Sequence, residues 1–191
     1  VDVGRAWLNR LPCNLVYTAE RVAYRNLIND LLPPSSALTD NPFREWIGAQ
    51  IRADIWGYVT PGWPEKAAEM AFRDASISHT KNGVYGAMFV AALLAASFAT
   101  SNIKAVIDIA LSEIPANCRL AQAVKDTMAW AEANDEWQDT WALVNEKFGH
   151  YPDVHTINNA ALIVMGLVHG KGNFEQTIVT TVLGGWDADC T

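Results

Sequence analysis

Between Lys81 and Lys104 the chain carries no charged residue. Asn82–Ile103 is rich in Ala and Ser, with Gly83, Gly86 and Asn102 inside it, and lacks a centre dense in Leu, Ile or Val. Its length is about that of a bilayer span. Its small and polar residues make insertion unfavourable, so the expectation is a buried helix with no membrane span and no membrane partner. Asn82–Ala99 is apolar on nearly all sides and is predicted to be central. Other elements must then wrap around it.

The flanking pattern is helical almost throughout. Val1–Leu11 is weakly amphipathic. Thr18 is placed to cap a helix from Ala19 to about Leu32, and Pro33-Pro34 stop it. Pro33–Asp40 reads as a polar loop. Asn41-Pro42 reads as the opening of a helix that runs through Glu45–Tyr58. Pro64 starts the next, over Glu65–Ser78, with Ala67, Ala68, Ala71, Phe72 and Ala75 at a 3.6-residue period. Further helices are predicted over Asn102–Ile114, Asn117–Asn134, Asp135–Phe148, Thr156–His169 and Asn173–Leu183, several ending at Gly or Pro. No run alternates like a half-buried strand. The prediction is one all-α domain over residues 1–191, with roughly ten helices.

Composition narrows the function classes. Of 191 residues, 50% are hydrophobic and 18% charged, which excludes a disordered chain. Lys plus Arg is 14 and Asp plus Glu is 21, a formal charge of −7. That balance argues against a general nucleic-acid binder. The three cysteines, Cys13, Cys118 and Cys190, form no CxxC pair, and Val1–Arg10 lacks a signal-peptide core. Reduced thiols and a cytoplasmic location are expected.

Four segments carry candidate chemistry. The first is Gly184-Gly185-Trp186-Asp187-Ala188-Asp189-Cys190-Thr191. Two carboxylates after a glycine pair can present oxygens to one hard cation; an exposed acidic turn has the same spelling. Trp186 is placed to stack on a ligand ring. The second is Gly48-Ala49-Gln50-Ile51-Arg52-Ala53-Asp54, where Asp54 pairs with Arg52 or another segment, either as a structural ion pair or toward a ligand. In the third, Ser76–Gly83, Ser78 and His79 precede a helix N-terminus suited to phosphate, unless the segment is a plain turn. The fourth is His155-Thr156-Ile157-Asn158-Asn159, whose amides bind a ligand or bridge helices.

In this order the segments resemble the ADP-ribosylglycohydrolase family, the superfamily of dinitrogenase-reductase-activating glycohydrolase and its crystallin branch. The resemblance runs through Asn41–Asp54, Arg73–Gly86, His155–Ala160 and the closing Gly-Gly-Trp-Asp-Ala-Asp-Cys, and covers the chain from about Arg21 onward. It implies a compact multi-helix domain with two Mg²⁺ ions in a cleft, and hydrolysis of a glycosidic bond to ADP-ribose. It implies Asp187, Asp189 and Cys190 as metal ligands, and Ser78 and His79 near the substrate phosphates. Gly48, Gln50 and Arg52 are implied to line the ribose and phosphates. The partner is ADP-ribose or an ADP-ribosylated substrate, with nucleic acid only as a modified substrate.

Three departures stand out. The family's Gly-Asp-Ala and Thr-Asp-Asp motifs are not found. Ala188 replaces the Thr between the aspartates, and Cys190 replaces the following Ser or Thr. The expectation is therefore a domain truncated at both ends, with its general acid or base in the missing N-terminal segment, and inactive alone. The alternatives are a non-catalytic ADP-ribose-binding or structural relative, or an unrelated helical interaction domain.

Overall fold

The computed structural model describes residues 2–191, so Val1 of the expected N-terminal pattern lies outside the described residues. The helices are α1 (Asp2–Arg10), α2 (Thr18–Ile28), α3 (Ser35–Leu38), α4 (Gly48–Ile51), α5 (Asp54–Tyr58) and α6 (Pro64–Ala75). They continue as α7 (Asn82–Ser97), α8 (Ile103–Ser112), α9 (Arg119–Ala133), α10 (Trp137–Phe148), α11 (Thr156–Gly170) and α12 (Phe174–Leu183). Among the described residues the only β-type pairing is one antiparallel bridge, Trp46 to His155. The chain is all-α. No helix among these residues is long and apolar enough to cross a membrane.

Helix α7 is central for the reason its composition gives. Val84, Ala87, Ala91 and Ala95 face a cluster with Ala49, Ala53, Ala67, Ala71 and Ala75. Phe89, Ala92, Leu93 and Ala96 face a larger cluster built from α8, α9, α10 and α11. One uncharged helix thus serves two cores, which a half-polar helix could not do.

Small residues set the spacing between helices. A Cβ on Gly57 of α5 would lie 2.5 Å from Leu94 Cβ and 2.9 Å from the Ala91 carbonyl. On α11, Gly166 and Gly170 meet Thr181 and Thr177 of α12, with a Cβ at either glycine falling 1.8–1.9 Å from a threonine Oγ1. The α11–α12 pair carries the aspartate-containing C-terminal loop, so this contact fixes where the loop begins.

Local differences from the sequence expectation have physical causes. Residues 41–58 do not form one helix. Asn41 does not cap a helix through Pro42; its Nδ2 donates to the Ala19 and Ser78 carbonyls, and its Oδ1 accepts from Phe43 N–H. Ile47 N–H donates to Val154 O and Thr156 N–H to Glu45 O, so residues 45–47 bond across the chain rather than along a helix. Only α4 and α5 form within this span. Thr18 is not the cap of α2 but lies inside it with φ 43. Helix α2 stops at Ile28, where Asp30 turns left-handed (φ 62) and Leu31 N–H reaches Asn26 O. The expected polar loop holds α3, tied down by Ser36 Oγ donating to Ile77 O at 2.7 Å. Asn102 and Asn173, read only as the first residues of their helices, are in the structure the caps of α8 and α12, accepting from Ala105 N–H and Gln176 N–H.

Replacing Gly166 by Ala forces a methyl into Thr181. It is expected to destabilise the fold by about 1–3 kcal/mol, read as a melting temperature lower by several degrees.

Candidate functional site

The C-terminal loop is held in place from two sides. Gly185 (φ 82) and Trp186 (φ 54) are consecutive left-handed residues, which turn the chain sharply after α12. Glycine takes that conformation freely; for Trp186 it costs about 1–2 kcal/mol, offset by packing of the indole on the larger core. Trp141 Nε1 donates to Gly184 O at 2.8 Å. Asp187 N–H donates to Asn159 Oδ1 at 3.2 Å, and Asn159 Nδ2 in turn donates to Asp153 O and His155 O at 2.7 and 2.8 Å. Asn159 is thus a helix-bridging residue that also aims the loop. Asn158 donates to Pro152 O.

This turn gathers Asp187, Asp189 and Cys190, with one ligand atom from each lying within 4.8 Å of the others. Burial raises the Asp187 carboxyl above its ordinary value; Asp189 adds to this and the Cys190 thiol opposes it. Burial, then the Asp187 and Asp189 charges, push the Cys190 thiol up to about 12. At neutral pH it is a protonated thiol beside a carboxylate. Two acids so close suit a cation between them.

Asp187 faces a cleft of about 410 Å³ whose other walls come from α1, α2 and α4. Trp7, Tyr17, Trp46 and Ile51 line it, with Gly48, Glu20 and Arg52. Of the residues expected to bind substrate, Gly48 and Arg52 are therefore in the cleft with Asp187. Gly48 makes room there, since a Cβ on it would lie 2.3 Å from Glu20 Oε1.

Arg52 does not pair with Asp54, which is exposed. Its Nε donates to Asp74 Oδ2 at 2.8 Å, its Nη1 to Glu20 Oε1 and to Gly48 O, and its Nη2 to Ser78 Oγ at 3.0 Å and to Asp74 O. Its guanidinium also sits 5.2 Å from the Trp7 ring centre. Burial raises the Glu20 carboxyl, and Arg52 opposes the rise.

The remaining expected residues lie off this cleft. Ser78 and His79 are buried, with Ser78 Oγ 2.8 Å from His79 Nδ1. They buttress Arg52 rather than meet solvent. Burial, then the neighbouring Arg52 charge, drive the His79 pKa well below 6.5, with the Trp46 backbone opposing. The N-terminus of α7 is likewise closed by the protein itself, for Asn82 N–H and Nδ2 both donate to Glu45 Oε2. Burial would raise the Glu45 carboxyl, but Asn82 and Arg119 outweigh it and hold it low. Gln50 is buried, its Oε1 accepting from Thr156 Oγ1 at 2.6 Å, and it lines a separate groove with Cys190. Trp186 lies against the core and is not among the residues lining the cleft.

Glu20, Asp74, Trp7 and Glu45 are the residues the sequence reading missed. Two had a legible signal. Glu20 stands at i, i+3, i+4, i+7 with Ala23, Tyr24 and Leu27, and Asp74 falls on the Ala67–Ala71 stripe. An acid on an apolar helical stripe demands a partner.

The family model described as ADP-ribosylglycohydrolase matches residues 2–191. Together with the all-α fold and the acidic turn at the cleft, this places the chain in the ADP-ribosylglycohydrolase family, a family of hydrolases acting on ADP-ribosylated substrates. No curated protein and no solved structure gives a significant match.

His155 has its pKa lowered to about 4 by burial foremost, with Glu45 opposing and Arg119 and His150 adding. An unfolded His binds its proton near 6.5, so the unfolded chain takes up protons first as pH falls. This contribution to stability is complete above pH 6.5 and is lost as pH falls toward 4. His79 acts in the same direction. Denaturant melts are expected to show falling stability from pH 7 to pH 5, with a shallower fall in His155→Asn, whose side chain keeps a cap for α11.

Proposed function

We propose that this chain contributes one wall of a Mg²⁺-dependent site that hydrolyses a glycosidic bond to an ADP-ribose unit. The observation that carries the reading is the convergence of Asp187, Asp189 and Cys190 on one point, with Asp187 lining the cleft. The donor set fits a hard cation through its oxygens. Asp187 and Asp189 are the ligands in this reading. The soft thiol, held protonated, is a poor ligand for Mg²⁺, so Cys190 positions Asp187 by hydrogen bonding.

When bound, such ions supply positive charge to the ribose oxygens and to the charge that develops as the bond breaks. The protein's own groups orient and exclude. Gly48 and Ile51 wall the cleft, and Trp7 and Trp46 exclude water from it. Glu20 is a carboxyl facing the same space, its pKa raised by burial against the opposing Arg52 charge, and it accepts the proton of the attacking water. That water's oxygen bonds to the anomeric carbon, and the leaving group departs with the bonding electron pair.

Two six-coordinate Mg²⁺ ions need more donors than three converging residues provide. In this reading the 191 residues alone hold a cation weakly and do not turn substrate over. The same shortage favours, as a second reading, a non-catalytic relative that keeps ligand binding. The free thiols of Cys13, Cys118 and Cys190 support a reducing, cytoplasmic setting.

Calorimetric titration of Mg²⁺ into this chain tests the site. Asp187→Asn and Asp189→Asn are each expected to weaken binding about tenfold or more, a loss of about 1.4 kcal/mol. Binding that is absent, or unchanged by both substitutions, overturns the metal assignment. Mg²⁺-dependent release of ADP-ribose by these 191 residues overturns their inactivity.

A further inference from the structure

We infer that the groove lined by Gln50 and Cys190 is a second binding site, for a short aliphatic molecule that ends in an uncharged carboxamide. Ile51 is the one residue this groove shares with the cleft that Asp187 faces, so the two are separate spaces. The inference does not depend on a metal.

The groove encloses about 280 Å³, a volume at the small end of ligand pockets. It is lined from α4, α5, α7, α11 and α12, and by Cys190 and Thr191. Most of the lining is aliphatic, with Val90, Leu93, Leu94, Ile163, Leu167 and Val182 contributing. Thr177 and Thr181 offer it no free proton, because their hydroxyls donate to the Asn173 and Thr177 carbonyls. Such a surface suits an alkyl chain.

Two buried polar atoms of the lining are unpaired. Gln50 is 1% exposed. Its Oε1 accepts from Thr156 Oγ1 at 2.6 Å, which fixes the amide, and its Nε2 has no partner. Helix α7 presses on the same amide, since a Cβ on Gly86 would lie 2.6 Å from Gln50 Oε1. Thr191 Oγ1 is likewise buried without a partner. Buried donors in folded proteins have acceptors as a rule, and the groove is the space from which an acceptor can reach Gln50.

Charge selects the head group. No Lys or Arg lines the groove, so a carboxylate or phosphate would enter without a counter-charge. The ionisable side chains of the lining are Asp54 and Cys190. Burial raises the Asp54 carboxyl, and the Cys190 thiol is pushed up to about 12 and stays protonated. An ammonium carries donors only and cannot accept from Gln50 Nε2. A carboxamide is uncharged and has both functions. Its oxygen accepts from Gln50 Nε2, and its N–H donates to Thr191 Oγ1.

The test is an NMR titration of the full chain in metal-free buffer with hexanamide, hexanoate and hexylamine. It follows the Gln50 side-chain amide and the methyl groups of the groove. Hexanamide is expected to shift the Gln50 signal saturably, and to bind at least about fivefold tighter than the other two. Gln50→Leu is expected to weaken hexanamide about fivefold, the worth of one neutral hydrogen bond. Val182→Trp, at an exposed position on α12, narrows the groove without touching the buried amide. It is expected to weaken hexanamide about tenfold, and it keeps the test decisive if Gln50→Leu does not fold.

Absence of a saturable shift with hexanamide overturns the inference and leaves the Gln50 donor to water. Equal binding of the three molecules overturns it too, as does hexanamide affinity unchanged in Val182→Trp. The Mg²⁺ titration of Asp187→Asn reads the cleft separately, so failure of one is not failure of the other.

Discussion

The Arg52 guanidinium is the interaction on which the cleft depends. It joins α2 through Glu20, α6 through Asp74, its own α4 through the Gly48 carbonyl, and the segment after α6 through Ser78. Each partner lies in a different part of the chain, and all are partly or fully buried. Withdrawing Arg52 leaves the Glu20 and Asp74 carboxylates without a cation, a penalty of about 3–5 kcal/mol in buried pairs. The same bonds give the cleft its electrostatics. By binding its carboxylates inside the wall, the protein makes its only lining cation unavailable, and the cavity presents rings and acids.

A second constraint is geometric. Helix α7 is narrow and uncharged, so two cores share it without a polar face in between. On the far side, Gly166 and Gly170 let α12 approach α11 until threonine oxygens fill the place of a Cβ. The loop that follows α12 is then fixed by Trp141 and Asn159, each with a single hydrogen bond to its backbone. Loop residues Asp187 and Asp189 are thus brought to one point by helices far from them in sequence. The left-handed Trp186 shows the local strain this placement carries.

Much of the candidate site was legible as composition and order, but residue roles were not. The Gly-Gly-Trp-Asp-Ala-Asp-Cys string reads equally as converging donors and as an exposed acidic turn, and the fold brings one ligand atom of each of Asp187, Asp189 and Cys190 within 4.8 Å of the others. Ser78, His79 and Gln50 were legible as polar residues in apolar surroundings, yet that pattern fits a ligand contact and a buried bridge equally. The structure buries all three and pairs them within the protein. Glu20 and Asp74 show the converse: each sits on an apolar stripe that a helical reading exposes, but the common partner, Arg52, is 32 and 22 residues away. Periodicity reports that a charge needs a partner and is silent on which.

What the sequence by itself determined is therefore the helical class, the central place of Asn82–Ala99, the starts of α8 and α12 near Asn102 and Asn173, and the acidic turn. These follow from short-range rules, namely side-chain period, cap chemistry and the freedom of glycine. The tertiary structure alone decided that residues 41–58 bond across to Val154 and Thr156 instead of coiling, that Glu45 closes α7, and that Arg52 faces inward to Glu20 and Asp74. Each of those outcomes depends on burying polar groups against partners distant in the chain, where the cost of an unpaired charge or amide outweighs local propensity.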